Sequence, residues 1–344
     1  MERIKVGIAL SGGVDSTSTA LLLKKHYNVS GFFMQLAQPD LDRQTEQVKY
    51  VAKKLDIPLH IVNLSAPFEK CVLNYFSDSY VKGLTPNPCV VCNRQIKFGL
   101  FLDSILAAGM EKMATGHYAR ITHDHNGYHL YKGVDQRKDQ SYFLSRLNQQ
   151  QLSRVLFPLG EMRKDDIYDL AEQNGFHGFR GKESQDVCFL KNSTVSNFLE
   201  SRSAAKDCGH IVDTSGRILG EHSGISNYTV GQRRGLGISA SSPYYVIGLD
   251  ASTNNVVVGK DHELMREIIL LRNLHWISSD TRLPRNKIEV KIRSTHKGCE
   301  AILTQLDKTT YQLRLSSPQR AVTPGQFAVF YHDDELLGSA EIVG

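Results

Sequence analysis

No run of about 18 apolar residues occurs anywhere in this chain, so the sequence offers no helix long and apolar enough to cross a membrane. The N-terminus, MERIKVGIALSGG, sets Lys5 and then a Ser-Gly-Gly turn where a secretory signal needs its apolar stretch, and a cytoplasmic location is expected. Cysteine is sparse: six in 344 residues are too few for a disulfide scaffold, and a reducing compartment keeps them as thiols. Charge of one sign is also sparse, since a formal net charge of +5 tolerates a polyanionic partner without demanding one. Internal repeats and low-complexity tracts are missing, and a composition of 41% hydrophobic and 22% charged residues excludes disorder and a collagen-like rod. At roughly 100–200 residues per domain, the length calls for two or three domains rather than one small binding module.

What is present begins with an alternation of strands and helices. Residues 4–10 alternate apolar with small or charged side chains, stop at Ser-Gly-Gly, and give way to apolar residues at helical spacing over 14–25. The pattern repeats as a strand at 29–36, a helix at 44–55, a strand at 59–64 and a helix at 68–82. A turn-rich segment at 83–92 then precedes a helix at 94–108 and a strand at 112–116. Such alternation predicts a doubly wound parallel sheet. Helical patterns continue at 141–144, 148–156, 164–174 and 194–200, and after about residue 202 short apolar runs between Gly, Pro and Ser turns predict mainly β structure. The expected fold class is α/β: an N-terminal doubly wound parallel-sheet domain over 1–202, a small central β domain over 203–267 and a C-terminal β-barrel over 268–344. The trio His123, His125 and His129 flanks Asn126-Gly127, which suits a polar hairpin better than a metal site.

The first turn is the first candidate site. Ala9, Leu10, Ser11, Gly12, Gly13, Val14, Asp15 and Ser16 follow the first strand and open the first helix, so backbone N–H groups and a helix N-terminus converge there on an anion. Ser11, Ser16 and Thr17 have hydroxyls to donate, and Asp15 is a candidate Mg2+ ligand or helix cap. The loop lacks both the Gly-Lys-Ser/Thr ending of a Walker A motif and the G-x-G-x-x-G of dinucleotide binders. Met34, at the end of the second strand, is read both as an adenine contact and as a core methionine.

Cysteines form the second candidate. Cys89 and Cys92 lie in TPNPCVVCNRQIKF, where a helix beginning just after Cys92, with Arg94 and Lys97 close by, is expected to favour its thiolate. Cys188 lies in ESQDVCFL, a turn-to-strand edge of the same unit, from which a second reactive thiol has to be brought in. No second Cys-x-x-Cys and no His pair at finger spacing follows, which argues against structural zinc. Cys89, Cys92 and Cys188 together also suit three ligands of a 4Fe–4S cluster, and that alternative stays open.

SGGVDS resembles the pyrophosphate loop of the ATP pyrophosphatase superfamily, whose members cleave ATP between the α and β phosphates to adenylylate a carbonyl oxygen. Taken with LTPNPCVVCNRQIKF, ATGHYAR, KDQSYFL, SQDVCFL, YTVGQRRGLGI and VTPGQFAVFY, in that order along nearly the whole chain, it resembles the tRNA-specific 2-thiouridylase family. The resemblance implies an enzyme that uses ATP and Mg2+ to activate a tRNA wobble uridine and replaces its 2-oxygen by sulfur from a persulfide donor protein. A monomer with no membrane partner is expected. Carried over by position, Cys92 is the implied nucleophile, Cys188 the persulfide carrier and Gly116 a nucleotide contact. Asn87, Pro88 and Cys89 correspond to the stretch that touches the target base. Implied tRNA contacts are His117, Lys138, Asp139, Gln140, Arg293, Ser294 and Gln326. Arg233 and Arg234, set among glycines, suit phosphate approach. Two departures stand out: Cys89 occupies a position where many relatives carry Asp, and residues 35–43 are abbreviated. A small-molecule ligase or sulfurtransferase with the same ATP loop is the competing enzyme class, and a non-catalytic iron–sulfur or tRNA-binding protein is the competing non-enzyme class.

Overall fold

The computed structural model describes residues 3–36, 38–181, 187–190, 193–202, 208–278 and 288–343. Glu183 to Asp186 of the second cysteine motif, the 202/203 division and the start of the expected strand at 287 thus touch or lie outside the described residues. Among the described residues three sheets form. The N-terminal strands are β1 (Lys5–Ala9), β2 (Asn28–Gln35), β3 (Leu59–Asn63) and β4 (Lys112–Ala114), followed by a hairpin of β5 (Ala119–Asp124) and β6 (Gly127–Lys132), and by β7 (Val155–Leu156). The first sheet has the order β3-β2-β1-β4-β7 with every pairing parallel. Its strand order reverses between β1 and β4, and the carboxyl ends of those two strands open the crevice where such sheets hold ligands.

The central strand is buried on both faces, with Val6 and Ile8 fully inaccessible. Gly7 lets a helix lie against it, because a Cβ there falls 2.4 Å from Ile105 Cγ2. α1 (Val14–Lys24) buries Ser16, Thr17, Ser18 and Thr19, so the helix is enclosed all round with hydroxyl side chains where aliphatic ones are usual. Thr17 and Thr19 tolerate this by donating to the carbonyls of Gly13 (2.9 Å) and Asp15 (2.8 Å) one turn back. α2 (Leu41–Leu55) packs Val48, Val51, Ala52 and Leu55 on the opposite side of the loop.

Two long helices depart from the expected limits. α3 runs through Ser65–Phe68, a π turn at Glu69–Leu73 and Asn74–Val81. α4 runs through Pro88–Cys92, a π stretch at Asn93–Phe101 and Leu102–Ala107, with a kink at Gly99. α4 therefore starts a turn before Cys92, because Asn87 caps it by accepting from Val90 N at 3.4 Å and Pro88 occupies the first helical position. The helical reading of 148–156 is also corrected. Asn148 and Gln151 close a capping box around the single turn Gln149–Leu152, and the chain then pairs with the open edge of β4 as β7, Met113 N donating to Arg154 O at 2.9 Å. α5 (Lys164–Gln173) packs on α1, and α6 (Val195–Ser201) closes the unit.

The central sheet joins β8 (Gly209–Asp213), β9 (Ile218–His222), β10 (Tyr245–Asp250) and β11 (Asn255–Gly259) around its own small core of Ile211, Val246, Val256 and Val258. β12 (Met265–Trp276), β13 (Ile288–Lys291), β14 (Cys299–Gln305), β15 (Thr310–Arg320), β16 (Phe327–His332) and β17 (Glu335–Ile342) form an antiparallel barrel closed by the β12–β17 pairing. The expected 267/268 division falls inside β12. The β5–β6 hairpin extends the barrel sheet, β6 pairing Leu130 with Leu336 of β17. Phe327, Val329, Tyr331 and Leu336 of the barrel share one core with Phe98, Phe101, Tyr142 and Leu144 of the N-terminal unit.

Candidate active site

The Ser-Gly-Gly turn leaves β1 after Leu10 N donates to Phe32 O at 2.8 Å. Gly12 takes φ +79, and a Cβ there would sit 2.8 Å from Gln47 Cγ, so both backbone and space call for glycine. Ser11 N donates to Ser16 Oγ at 3.2 Å, while the Ser16 hydroxyl donates to Gly13 O at 3.0 Å, folding the loop over the start of α1. No side chain caps α1, so its first N–H groups remain turned toward the crevice. Thr17, expected as a phosphate donor, is fully buried and committed to Gly13 O.

Asp15 does not cap α1, whose N-cap is Gly13, and its carboxylate is engaged by other side chains. Its Oδ1 accepts from Lys164 Nζ at 2.7 Å and from Tyr118 OH at 2.8 Å, and its Oδ2 accepts from Lys164 Nζ at 2.9 Å. A carboxylate so neutralised by a buried ammonium is a poor ligand for a resident divalent ion. Gly116, just beyond β4, lies against this residue, since a Cβ there would approach Asp15 Cβ to 2.7 Å. Sequence spacing gives no sign of Lys164, which reaches Asp15 across 149 positions.

These elements and the thiols face one cleft of about 470 Å³. Its walls include Ala9, Leu10, Ser11, Asp15 and Ser16 from the loop, Met34 from β2, and Gly116, His117 and Gln140. Pro88, Cys89, Cys92 and Lys97 line it from α4, and Cys188 lines it from a turn closed by Leu190 N donating to Val187 O at 2.9 Å. Phe189 holds that turn in place, its ring 5.1 Å from both Phe76 and Phe198 and 6.0 Å from Phe68. The described residues about Cys188, 187–190, form a turn.

Burial, not the helix, governs the thiols. Cys92 sits one turn inside α4, so the expected activation by a helix N-terminus does not apply; desolvation pushes its pKa up to about 12, partly offset by Lys97. Desolvation likewise pushes Cys89 up to about 11, with the Cys188 charge adding to the rise. Cys188 opens onto the cleft yet is crowded by protein, which raises its pKa against the lowering influence of Lys97. Arg94, in contrast to Lys97, is exposed and does not line the cleft. All six cysteines are free thiols. Among the described residues no group of three or more His, Cys, Asp or Glu side chains is arranged to hold a metal ion, so the three thiols do not fit an iron–sulfur ligand set.

His117 lies between Phe98 and Phe157, and desolvation holds its pKa well below the ordinary histidine value, leaving a neutral ring with Nδ1 2.6 Å from Thr115 Oγ1. Of the other expected contact residues, Gln140 lines the cleft and the rest do not. Asp139 accepts from Gly133 N (3.2 Å), Ser141 N (3.0 Å) and Ser141 Oγ (2.9 Å), and sits 3.7 Å from Lys291 of the barrel. Lys138 N donates to Asp135 O at 2.9 Å in the same turn, and Gln140 Oε1 accepts from Tyr118 N at 3.1 Å. Gln326 Nε2 donates to Thr85 O at 2.8 Å, bridging barrel and N-terminal unit. Arg293 and Ser294 are exposed just after β13, and Arg233 and Arg234 are exposed on the central domain, where Arg233 borders a second cleft of about 480 Å³. His123, His125 and His129 belong to the β5–β6 hairpin.

A parallel sheet with a glycine loop at its switch point and three thiols on the same cleft defines a nucleotide-binding α/β enzyme of thiol chemistry. Family models extend this along the chain: residues 4–192 match a tRNA methyl transferase HUP domain, 196–260 a tRNA methyl transferase PRC-barrel domain, and 266–342 an aminomethyltransferase β-barrel domain. A tRNA-specific 2-thiouridylase MnmA of Desulfotalea psychrophila is 53% identical over 338 residues, covering 98% of each chain. Proteins of the same name from Syntrophomonas wolfei, at 42% identity over 98% of this chain and 100% of the relative, and from Acetivibrio thermocellus, at 40% over 99% and 100%, are similarly related. The chain belongs to the tRNA-specific 2-thiouridylase family. Among the described residues no helix is long and apolar enough to cross a membrane.

Proposed function

We propose that the cleft thiolates C2 of the wobble uridine of tRNA in two chemical halves, adenylylation and then sulfur transfer. The chain is a tRNA-uridine 2-sulfurtransferase, as its family membership indicates, and ATP with Mg2+ belongs to this class of enzyme. The observation that carries the reading is the sharing of one cleft by the glycine loop, Met34, Gly116 and the thiols Cys92 and Cys188. Because Asp15 is engaged by Lys164, Mg2+ is read as arriving on the ATP phosphates rather than on a site of the protein.

In the first half, the loop N–H groups and Ser11 hold the ATP phosphates while the uridine 2-oxygen attacks the α phosphorus, and pyrophosphate leaves. The C2–O bond thereby gains AMP as its leaving group. In the second half, Cys188 carries a persulfide from a donor protein. The Cys92 thiolate attacks the Cys188 sulfur, the Cys92–Cys188 bond forms, and the terminal sulfur departs as hydrosulfide with the electron pair. Hydrosulfide adds to C2, AMP leaves with the former 2-oxygen, and a proton is released. The disulfide returns to two thiols by exchange with an external thiol reductant. Asn87, Pro88 and Cys89 are assigned to the target base. His117, Lys138, Asp139, Gln140, Arg293, Ser294 and Gln326 are assigned to tRNA, Asp139 and Gln326 by shaping the surface between the two units. Two opposed thiols at a nucleotide loop favour sulfur transfer over the methyl transfer in the family-model descriptions, which needs neither a thiol pair nor pyrophosphate release.

The test is thiolation of a wobble-uridine tRNA by anaerobically purified protein with ATP and a persulfide donor, with bound iron quantified. Cys92→Ser and Cys188→Ser are expected to abolish 2-thiouridine while retaining tRNA-dependent pyrophosphate release, and Cys89→Ser to retain thiolation in iron-free protein. Loss of activity in all three, tracking bound iron, would overturn the thiol mechanism.

A further inference from the structure

In an α-helix the residue five positions on lies about 140° around the axis, so Cys92 and Lys97 ought to face different directions. The π stretch from Asn93 to Phe101 changes that register, because its turns close at i→i+5. Cys92 and Lys97 consequently line the same cleft, and the intervening Arg94 points to solvent. The widened turn is held from outside: Gln151 Nε2 donates to Arg94 O and to Phe98 O, both at 2.9 Å, and Asn93 Nδ2 donates to Phe143 O at 3.0 Å. A π turn maintained by three tertiary hydrogen bonds at a site wall is a common sign of function.

Lys97 lines the same cleft as the three sulfurs. Its charge acts on Cys89, Cys92 and Cys188, in each case favouring the anion. The His117 ring across the cleft stays neutral and does not compete as a cation. Among the described residues no carboxylate pairs with the Lys97 ammonium, whereas Lys164 is engaged by Asp15. We propose that Lys97 is the catalytic cation of the sulfur-transfer half, pairing with the Cys92 thiolate as it attacks and then with the hydrosulfide it liberates until that anion reaches C2. The proposal rests on the thiolation reading and specifies which group stabilises the sulfur anion in a cleft that otherwise disfavours anions.

Sodium sulfide as sulfur source isolates the step. With ATP and wobble-uridine tRNA, Lys97→Met in the full chain is expected to lower 2-thiouridine formation at least tenfold and to raise the sulfide concentration giving half the maximal rate. Pyrophosphate release should stay within twofold of wild type, and Lys97→Arg should restore most of the loss. A sulfide dependence unchanged from wild type overturns the proposal, and so does a parallel loss of pyrophosphate release, which assigns Lys97 to ATP. If the wild-type protein neither releases pyrophosphate with tRNA nor forms 2-thiouridine, the thiolation reading fails instead. The role of Lys97 is then decided by iodoacetamide alkylation of Cys92, which slows severalfold and shifts to higher pH in Lys97→Met if Lys97 pairs with the thiolate and is unchanged if it does not.

Discussion

In the proposed mechanism Cys92 acts as a nucleophile in a place that opposes its ionisation. Burial pushes its pKa up to about 12, so the neutral thiol dominates at pH 7 and the thiolate fraction rises about tenfold per pH unit. Alkylation of Cys92 by iodoacetamide, followed by peptide mass spectrometry, is therefore expected to accelerate about tenfold between pH 7 and 8 and again between 8 and 9, with no plateau below pH 9. A plateau near pH 7 would show an activated thiol instead. The sequence singled out this thiol, which lines the cleft, but not its electrostatics. Spacing located the helix after Cys92, whereas Asn87 and Pro88 start it earlier and deny the thiol a helix N-terminus. The partners of Asp15 were hidden for a related reason: Tyr118 and Lys164 come from segments that only the folded chain brings near.

At the scale of elements, the π stretch of α4 depends on a partner outside the helix. Gln151 takes up two carbonyls that the altered register frees, and its own Oε1 accepts from Asn148 N at 3.1 Å. Replacing it by alanine removes these hydrogen bonds and leaves acceptors in a partly buried place, which costs about 1–3 kcal/mol. Gln151→Ala is thus expected to shift urea unfolding by that amount and, by letting α4 relax toward α register, to weaken the influence of Lys97 on Cys92. The measurement pairs urea denaturation with the alkylation profile. A destabilised variant with an unchanged profile would mean that Gln151 does not set the direction of Lys97. Strands β1, β2 and β3 were readable to within about a residue because alternation is a local signal. The π turn was not, because its stability lies in Gln151, and β7 was not, because a two-residue strand exists only by virtue of the edge it joins.

For the whole molecule, the N-terminal unit and the barrel act as one body through the β5–β6 hairpin. His129 Nδ1 lies 2.6 Å from Glu335 Oε1 of β17, and Nε2 lies 3.0 Å from Asp124 Oδ1. The hydrogen bond to Glu335 raises the His129 pKa above its unfolded value, so its stabilisation is complete below about pH 6.5 and is lost as pH rises through the folded value. Thermal unfolding is expected to lose part of its stability between pH 6 and 8.5, and His129→Gln should lose less over the same interval. An identical pH response in both proteins would remove His129 from the junction. Composition and turn density announced a β-rich C-terminal half, yet the sharing of a sheet between the first unit and the barrel had no signature in a segment that its histidines and Asn-Gly mark only as a polar hairpin.

The central claim, that Cys92 and Cys188 work as a pair on an adenylylated uridine, is tested most directly by a single turnover of Cys188-persulfidated protein with ATP and wobble-uridine tRNA in the absence of reductant. The account predicts one AMP, one 2-thiouridine and one Cys92–Cys188 disulfide per active site, and no 2-thiouridine from Cys92→Ser. Formation of 2-thiouridine with both cysteines left as thiols, or by the Cys92→Ser protein at the wild-type rate, would contradict it.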